Sequence, residues 1–181
     1  YPNPQSHPHI AAWREAFKQL GLSGKRFPSS IEALTRRVLS GRGLGNINPL
    51  VDFYNAISLQ HIVPAGGWDV DDLQGDALLY RTRGGEPFHE LGTSKLIQAE
   101  AGEVAYADDE QLITRHFVWR QSDRGKITPA TRRVLLVSEI LGPVGAEVAG
   151  LVRESLEEGL REHFGVEART EILDERVSRW E

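Results

Sequence analysis

The sequence predicts an α+β fold: a single domain spanning residues 1–181, with a strand-rich central core flanked by helices. Three observations support this. Apolar residues recur at helical spacing near both ends, and the period shortens toward two in the middle. No repeat, low-complexity tract or linker divides the chain. A length of 181 residues and 20.2 kDa suits one well-buried domain.

Taken in order, "AAWREAFKQLG" (11–21) reads as a helix with Ala12, Ala16 and Leu20 on one face, Trp13 and Phe17 beside them, and Gly21 as its stop. "SSIEALTRRVLSG" repeats the pattern: Ser29 or Ser30 caps it, Ile31, Leu34 and Val38 face inward, and Arg36 and Arg37 stay outside. A third helix follows "GRGLGN", with Asn48 as cap and Pro49 at its first position.

"DALLYRTR", "GEVAYADD" and "LITRHFVWRQ" then read as short strands between turns. "RRVLLVSEIL" is apolar enough for a strand inside a sheet. "VGAEVAGLVRESLEEGLREHFG" is an amphipathic helix. Val144, Val148, Val152, Leu156, Leu160 and Phe164 recur every four residues, and Leu151 widens the stripe. Its apolar face packs either on this domain or on another chain, so the oligomeric state stays open. "VEARTEIL" adds a last strand.

Composition narrows the function. With no cysteine, disulfides, thiolate zinc sites and cysteine nucleophiles are excluded. No stretch is long and apolar enough to span a membrane, and the amino end does not read as a basic-then-apolar leader. The chain starts without methionine, so its true start is expected to be missing or processed. A cytoplasmic location is the default expectation. A net charge of -5 argues against wholesale coating of nucleic acid, although arginines cluster at Arg36, Arg37 and Arg42 and from Arg115 to Arg133. No metal or cofactor is expected: His7 and His9 have no third ligand at a recognisable spacing, and there is no Walker loop or G-x-S-x-G elbow.

Two stretches are rich in hydrogen-bonding groups. Asn48, Asp52 and Asn55 form one polar stripe on the third helix, facing either water or a pocket. Capping accounts for Asn48 and the helix dipole for Asp52, which leaves Asn55 over. "WRQSDRGKITPATRR" (119–133) leaves one strand and re-enters another at Val134, offering Gln121, Ser122, Asp123, Lys126, Thr128 and Thr131. It is either a binding loop or a solvated connection with an Asx-turn at Asp123.

These residues bring a family into view. Val51, Asp52 and Asn55 on a helix, then Pro64, Trp68–Asp69, Gly75–Asp76 and Gly85–Glu86, resemble the tRNA-editing domain of the phenylalanyl-tRNA synthetase β subunit. "KITPATRRV" is similar to the K-I-T-x-x-T-R run of its archaeal and eukaryotic versions. The resemblance covers roughly 46–141, and residues 8–45 and 142–181 read as the helical frame of a free-standing member. It implies a trans-acting deacylase that hydrolyses a mischarged aminoacyl-tRNA ester, with tRNA as partner. The alternative is a non-catalytic module that binds tRNA or an amino acid.

On this resemblance Gln121, Ser122 and Asn48 are the candidate catalytic groups, placing water or the α-amine. Asn55, Gly66, Thr128 and Val137 are the candidate substrate-binding residues. Arg36, Arg37, Arg120, Lys126 and Arg132 are candidate contacts to tRNA phosphates. Two departures bear on specificity. Gly66 stands where the bacterial domains carry a histidine, and Val137 where they carry the glutamate that accepts a tyrosine hydroxyl. Tyrosine specificity is therefore not expected to carry over, since a buried hydroxyl without a partner costs about 1–3 kcal/mol.

Overall fold

Local capping signals start each of the first three helices. The computed structural model describes residues 3–93 and 95–180. In α1 (Pro8–Gln19), the His7 side chain accepts from His9 N, and Pro8 opens the first turn. In α2 (Ser30–Leu39), the cap is Ser29, whose hydroxyl accepts from Glu32 N at 3.4 Å. In α3 (Pro49–His61), Asn48 adopts an extended backbone and accepts from Val51 N at 2.9 Å, as its sequence position predicts. Ile62 closes α3 in the left-handed region, at φ 52°.

The apolar faces differ in detail from expectation. In α1 the buried line is Ile10, Trp13 and Phe17, while Ala12, Ala16 and Leu20 are only partly covered, because the aromatic rings reach deepest. Trp13 and Phe17 are each 1% exposed, and burying such a side chain contributes roughly 1.5–3 kcal/mol. In α2 the inward residue beside Ile31 is Glu32, at 0% exposure, held by Arg14 at 2.8 Å and Arg36 at 2.5 Å. Val38 is 37% exposed and so does not join the core. His9 Nδ1 donates to the carbonyls of His61 and Ile62 at 3.0 and 3.2 Å, tying α1 to the end of α3.

The centre is built from small antiparallel pairs. β1 (Ala65–Asp69) pairs with β8 (Val134–Ser138), β2 (Leu78–Arg81) with β5 (Val104–Ala107), β3 (Pro87–His89) with β4 (Leu96–Gln98), and β6 (Thr114–Arg115) with β7 (Arg120–Gln121). "LITRHFVWRQ" is thus not one strand. It breaks into a hairpin because His116 and Phe117 both take positive φ, at 45° and 60°. β8 has one ladder partner among the described residues and is half-buried along its length, not sheet-interior.

α4 (Ala146–Phe164) packs Val152 and Leu160 inward, and Gly165 caps it in the left-handed region. Gly159 is there for close approach: a methyl group on it would lie within 2.5 Å of Phe53 Cε2 on α3. Leu151, 47% exposed, faces away from the domain and does not widen the stripe. Val144 precedes the helix. No strand forms over 166–173, where the residues are nearly all exposed and no described strand lies alongside to pair with them.

Candidate functional site

The β1–β8 ladder sets the geometry of the site. Its register puts Gly66 opposite Val137, Gly67 opposite Leu136 and Trp68 opposite Leu135. Alternation places Gly66, Trp68 and Val137 on one face, with Glu139 two residues beyond Val137 on the same side. The two glycines differ in role. A methyl group on Gly67 would lie 2.6 Å from Leu136 Cδ2 and 3.1 Å from Ile127 Cδ1, so this face is closed. A methyl group on Gly66 would meet nothing within 4 Å, which leaves open space over the other face.

Tyr106 of β5 packs against Trp68 of this face. Ala105 and Ala107 point into the core beside Phe88 and Leu112, so Tyr106 points the opposite way. Its ring centroid is 5.2 Å from that of Trp68 and 6.1 Å from that of Phe117, and its hydroxyl lies near the Glu139 carboxyl. Burial pushes the Glu139 carboxyl up to about 7, with the Tyr106 hydroxyl and a backbone N–H opposing the shift. Burial also raises the Tyr106 phenol, and the Glu139 charge adds to that. Trp68 Nε1 is buried with no hydrogen-bond partner among the described residues. This face is thus open over Gly66 beside Val137, with the packed Trp68 and Tyr106 rings toward one end of the row and the Glu139 carboxyl toward the other.

The polar loop 119–133 is latched along the other edge of β1. Gln121 donates Nε2 to Gly67 O at 3.0 Å, and Asp69 N donates to Gly125 O at 2.8 Å. Asp72 accepts from Gly125 N at 2.6 Å, and Thr131 Oγ1 donates to Asp69 Oδ2 at 2.6 Å. Asn48 reaches across from α3 to donate to Ile127 O at 3.3 Å. Ser122 is fully buried, and its hydroxyl accepts from Arg124 N, so Ser122 rather than Asp123 makes the side-chain turn. Asp123 instead pairs with Lys126, whose hydrogen bond holds its carboxyl below the usual range.

The structure therefore brings Gly66, Val137 and Gln121 to β1, and it ties Asn48 and Thr128 to the loop, where Thr128 N donates to Thr131 Oγ1. Asn55 is half-buried, and its amide has no hydrogen bond to a described residue. Among the basic residues, Arg36 pairs with Glu32, Arg120 with Glu90 and Lys126 with Asp123. Among the described residues, Arg37 and Arg132 bond only to backbone carbonyls. Among the described residues, no cluster of three His, Asp or Glu side chains could hold a metal ion.

Trp68, Tyr106 and Glu139 escape the sequence reading as site residues. A faint signal was present: Glu139 is the one charged residue in the run 134–141, in phase with Val137. Two clefts lie elsewhere. One, of ≈ 480 Å³, is lined by Arg14, Glu15 and Lys18; the other, of ≈ 190 Å³, by Glu100, Glu103 and His116.

An α+β domain of paired antiparallel strands framed by helices is the class this architecture defines. The model of the B3/4 domain matches residues 12–153, well over half of the chain, and the chain belongs to that family, the one found in the phenylalanyl-tRNA synthetase β subunit. Among solved structures, an amino-terminal fragment of that β subunit from Pyrococcus horikoshii is similar, with a TM-score of 0.47 and 14% identity. The similarity covers 62% of this chain and 41% of that fragment. No curated protein matches the sequence. No described helix is long and apolar enough to cross a membrane.

Proposed function

We propose that this chain is an aminoacyl-tRNA deacylase, releasing an amino acid other than tyrosine from a mischarged tRNA. Membership of the B3/4 family supports a tRNA-related role at a coarse level. The observation that carries the finer reading is the open face over Gly66 beside Val137, with the Glu139 carboxyl in phase beyond it and raised to about 7. In the reaction, water adds to the ester carbonyl and the bond to the ribose oxygen breaks, giving free amino acid and tRNA. A carboxyl that titrates near neutrality can take the proton from water as the C–O bond forms. Gln121 spends its Nε2 on Gly67 O, which leaves its Oε1 to orient that water. Arg37 and Arg132, which carry no carboxylate partner, are the basic residues most able to meet phosphate.

One observation favours a non-catalytic binding module. Asn48, Gln121 and Ser122, the three polar groups expected to act, all hold backbone groups. A panel of tRNAs carrying labelled cognate and near-cognate amino acids separates the two readings. Deacylation is expected to release one or two small apolar amino acids, with release lost in Glu139→Gln. No release from any tRNA, with tRNA still bound, overturns the deacylase in favour of the module.

A further inference from the structure

We infer that the cleft of ≈ 190 Å³ between the end of α1 and the turn before β5 binds a small primary alkylammonium ion. The inference stands apart from the deacylase reading and shares no residue with the Gly66 face. Leu20, Gly21 and Leu22 line one side of the cleft, Glu100 and Glu103 another, and His116 lines it from the hairpin. One water takes about 30 Å³, so the volume holds roughly six non-hydrogen atoms.

Acceptors outnumber donors here. The N–H groups of Leu20, Gly21, Leu22 and Gly102 are spent on backbone carbonyls. Glu100 N donates to Glu103 Oε1 at 3.0 Å, and Glu103 N donates to Thr82 Oγ1 at 2.9 Å. The carbonyl end of α1 adds negative potential. Arg115 holds both oxygens of Glu103, whereas Glu100 is exposed and its carboxylate makes no hydrogen bond or ion pair to a described residue.

His116 supplies a second free acceptor. Its side chain is only 7% exposed, and Nδ1 is buried 3.3 Å from Glu103 Oε2 without a hydrogen bond. That carboxylate favours hydrogen on Nδ1, which leaves the Nε2 lone pair with no donor among the described residues. Burial lowers the imidazole pKa, so the ring is neutral at pH 7; Arg115 and Arg26 add to the shift, and Glu103 and Glu100 oppose it. Phe27 and Trp119, with ring centroids at 4.1 and 5.4 Å, fix its position. An anion entering the cleft meets the Glu100 charge and few donors. An ammonium group brings three donors and the opposite charge.

The test titrates the nitrogen-15-labelled full chain with 1-aminobutane at pH 7 and follows the His116 ring nitrogens and the amides of residues 100–104 by NMR. Wild type is expected to shift at those sites with the amine, and to bind butyrate at least about tenfold more weakly. Glu100→Gln, at an exposed position, keeps the shape and removes the charge; it should weaken amine binding about fivefold or more. His116→Phe keeps a ring beside Phe27 and Trp119 and removes the acceptor, with a similar loss expected. Unchanged affinity in either folded variant overturns the inference. If His116→Phe does not fold, Glu100→Gln decides alone. No shift in wild type, shifts confined to other residues, or butyrate binding as tight as the amine overturns it too.

Discussion

Thr131 Oγ1 donates to Asp69 Oδ2 at 2.6 Å and accepts from Thr128 N at 2.9 Å. One hydroxyl thus fastens the carboxyl-terminal arm of the polar loop to the last residue of β1. Thr131→Val keeps the shape and removes both bonds. It should cost about 1–3 kcal/mol, since Asp69 Oδ2 and Thr128 N lose their partner. Urea unfolding gives the answer; an unchanged midpoint would mean the latch is idle.

Asn48 has two separable duties. Its Oδ1 caps α3, and its Nδ2 holds Ile127 O. Asn48→Ala should lower stability by about 1 kcal/mol through the lost cap, whereas Asn48→Asp keeps the cap and loses only the bond to the loop. If deacylation depends on loop position, the aspartate variant folds normally but reacts slowly. Equal rates for Asn48→Asp and wild type would remove Asn48 from the reaction.

Glu103 and Arg115 form a bidentate pair inside the domain, with Nε to Oε2 at 2.6 Å and a second bond at 2.5 Å. Burial opposes the Glu103 charge. The Arg115 hydrogen bond, the Glu100 N–H and the charges of His116 and Arg115 outweigh it and hold the carboxyl below the usual glutamate range. A depressed carboxyl stabilises the fold above its unfolded value, near pH 4.5, and loses that contribution as pH falls through the folded value. Glu103→Gln should therefore cost about 3 kcal/mol at pH 7, leaving Arg115 unpaired. The gap to wild type should narrow in acid, read from denaturant midpoints between pH 3 and 7.

Glu139 has the opposite sign. Its carboxyl is raised to about 7 in the fold, so the folded protein holds a proton that the unfolded chain gives up near 4.5. Wild-type stability should fall as pH rises between those values. Glu139→Gln cannot ionise and should be more stable than wild type at pH 8, by roughly 1–3 kcal/mol, and nearly equal at pH 4. In the deacylase assay wild-type kcat/KM should rise through pH 7. A rate that is flat across that range removes Glu139 as the base.

Arg37 and Arg132 are exposed and lack carboxylate partners, while Arg36 serves the buried Glu32. Arg37→Ala and Arg132→Ala should each lower the slope of log K for tRNA against log salt by roughly one. Arg36→Ala should act mainly on stability. Unchanged slopes in the first two would move the tRNA surface elsewhere.

Much of the fold was legible because its signals are local. Asn48–Pro49 marks the start of α3 within two residues, and Val134 marks re-entry into β8 after a polar loop. The misreadings have a common source. Periodicity cannot say which apolar residues find a neighbour: it turns Leu151 and Val38 inward, where both are exposed, and reads 166–173 as a strand, although no described strand lies alongside. Nor can it distinguish a free arginine from one whose carboxylate lies on another helix, as with Arg14 and Glu32.

The α+β class, the helix caps and a family resemblance over the middle of the chain are legible in the residue order, because each depends on residues a few positions apart. The open face over Gly66 comes from packing alone. Gly66, Val137 and Glu139 come from two distant segments, and they line up through the register of β1 on β8, with Trp68 of the same face against Tyr106 of β5. Pairing register is a property of two chain segments at once, and a shift of one residue would turn Gly66 and Glu139 to the other face. No window along a single strand contains that information.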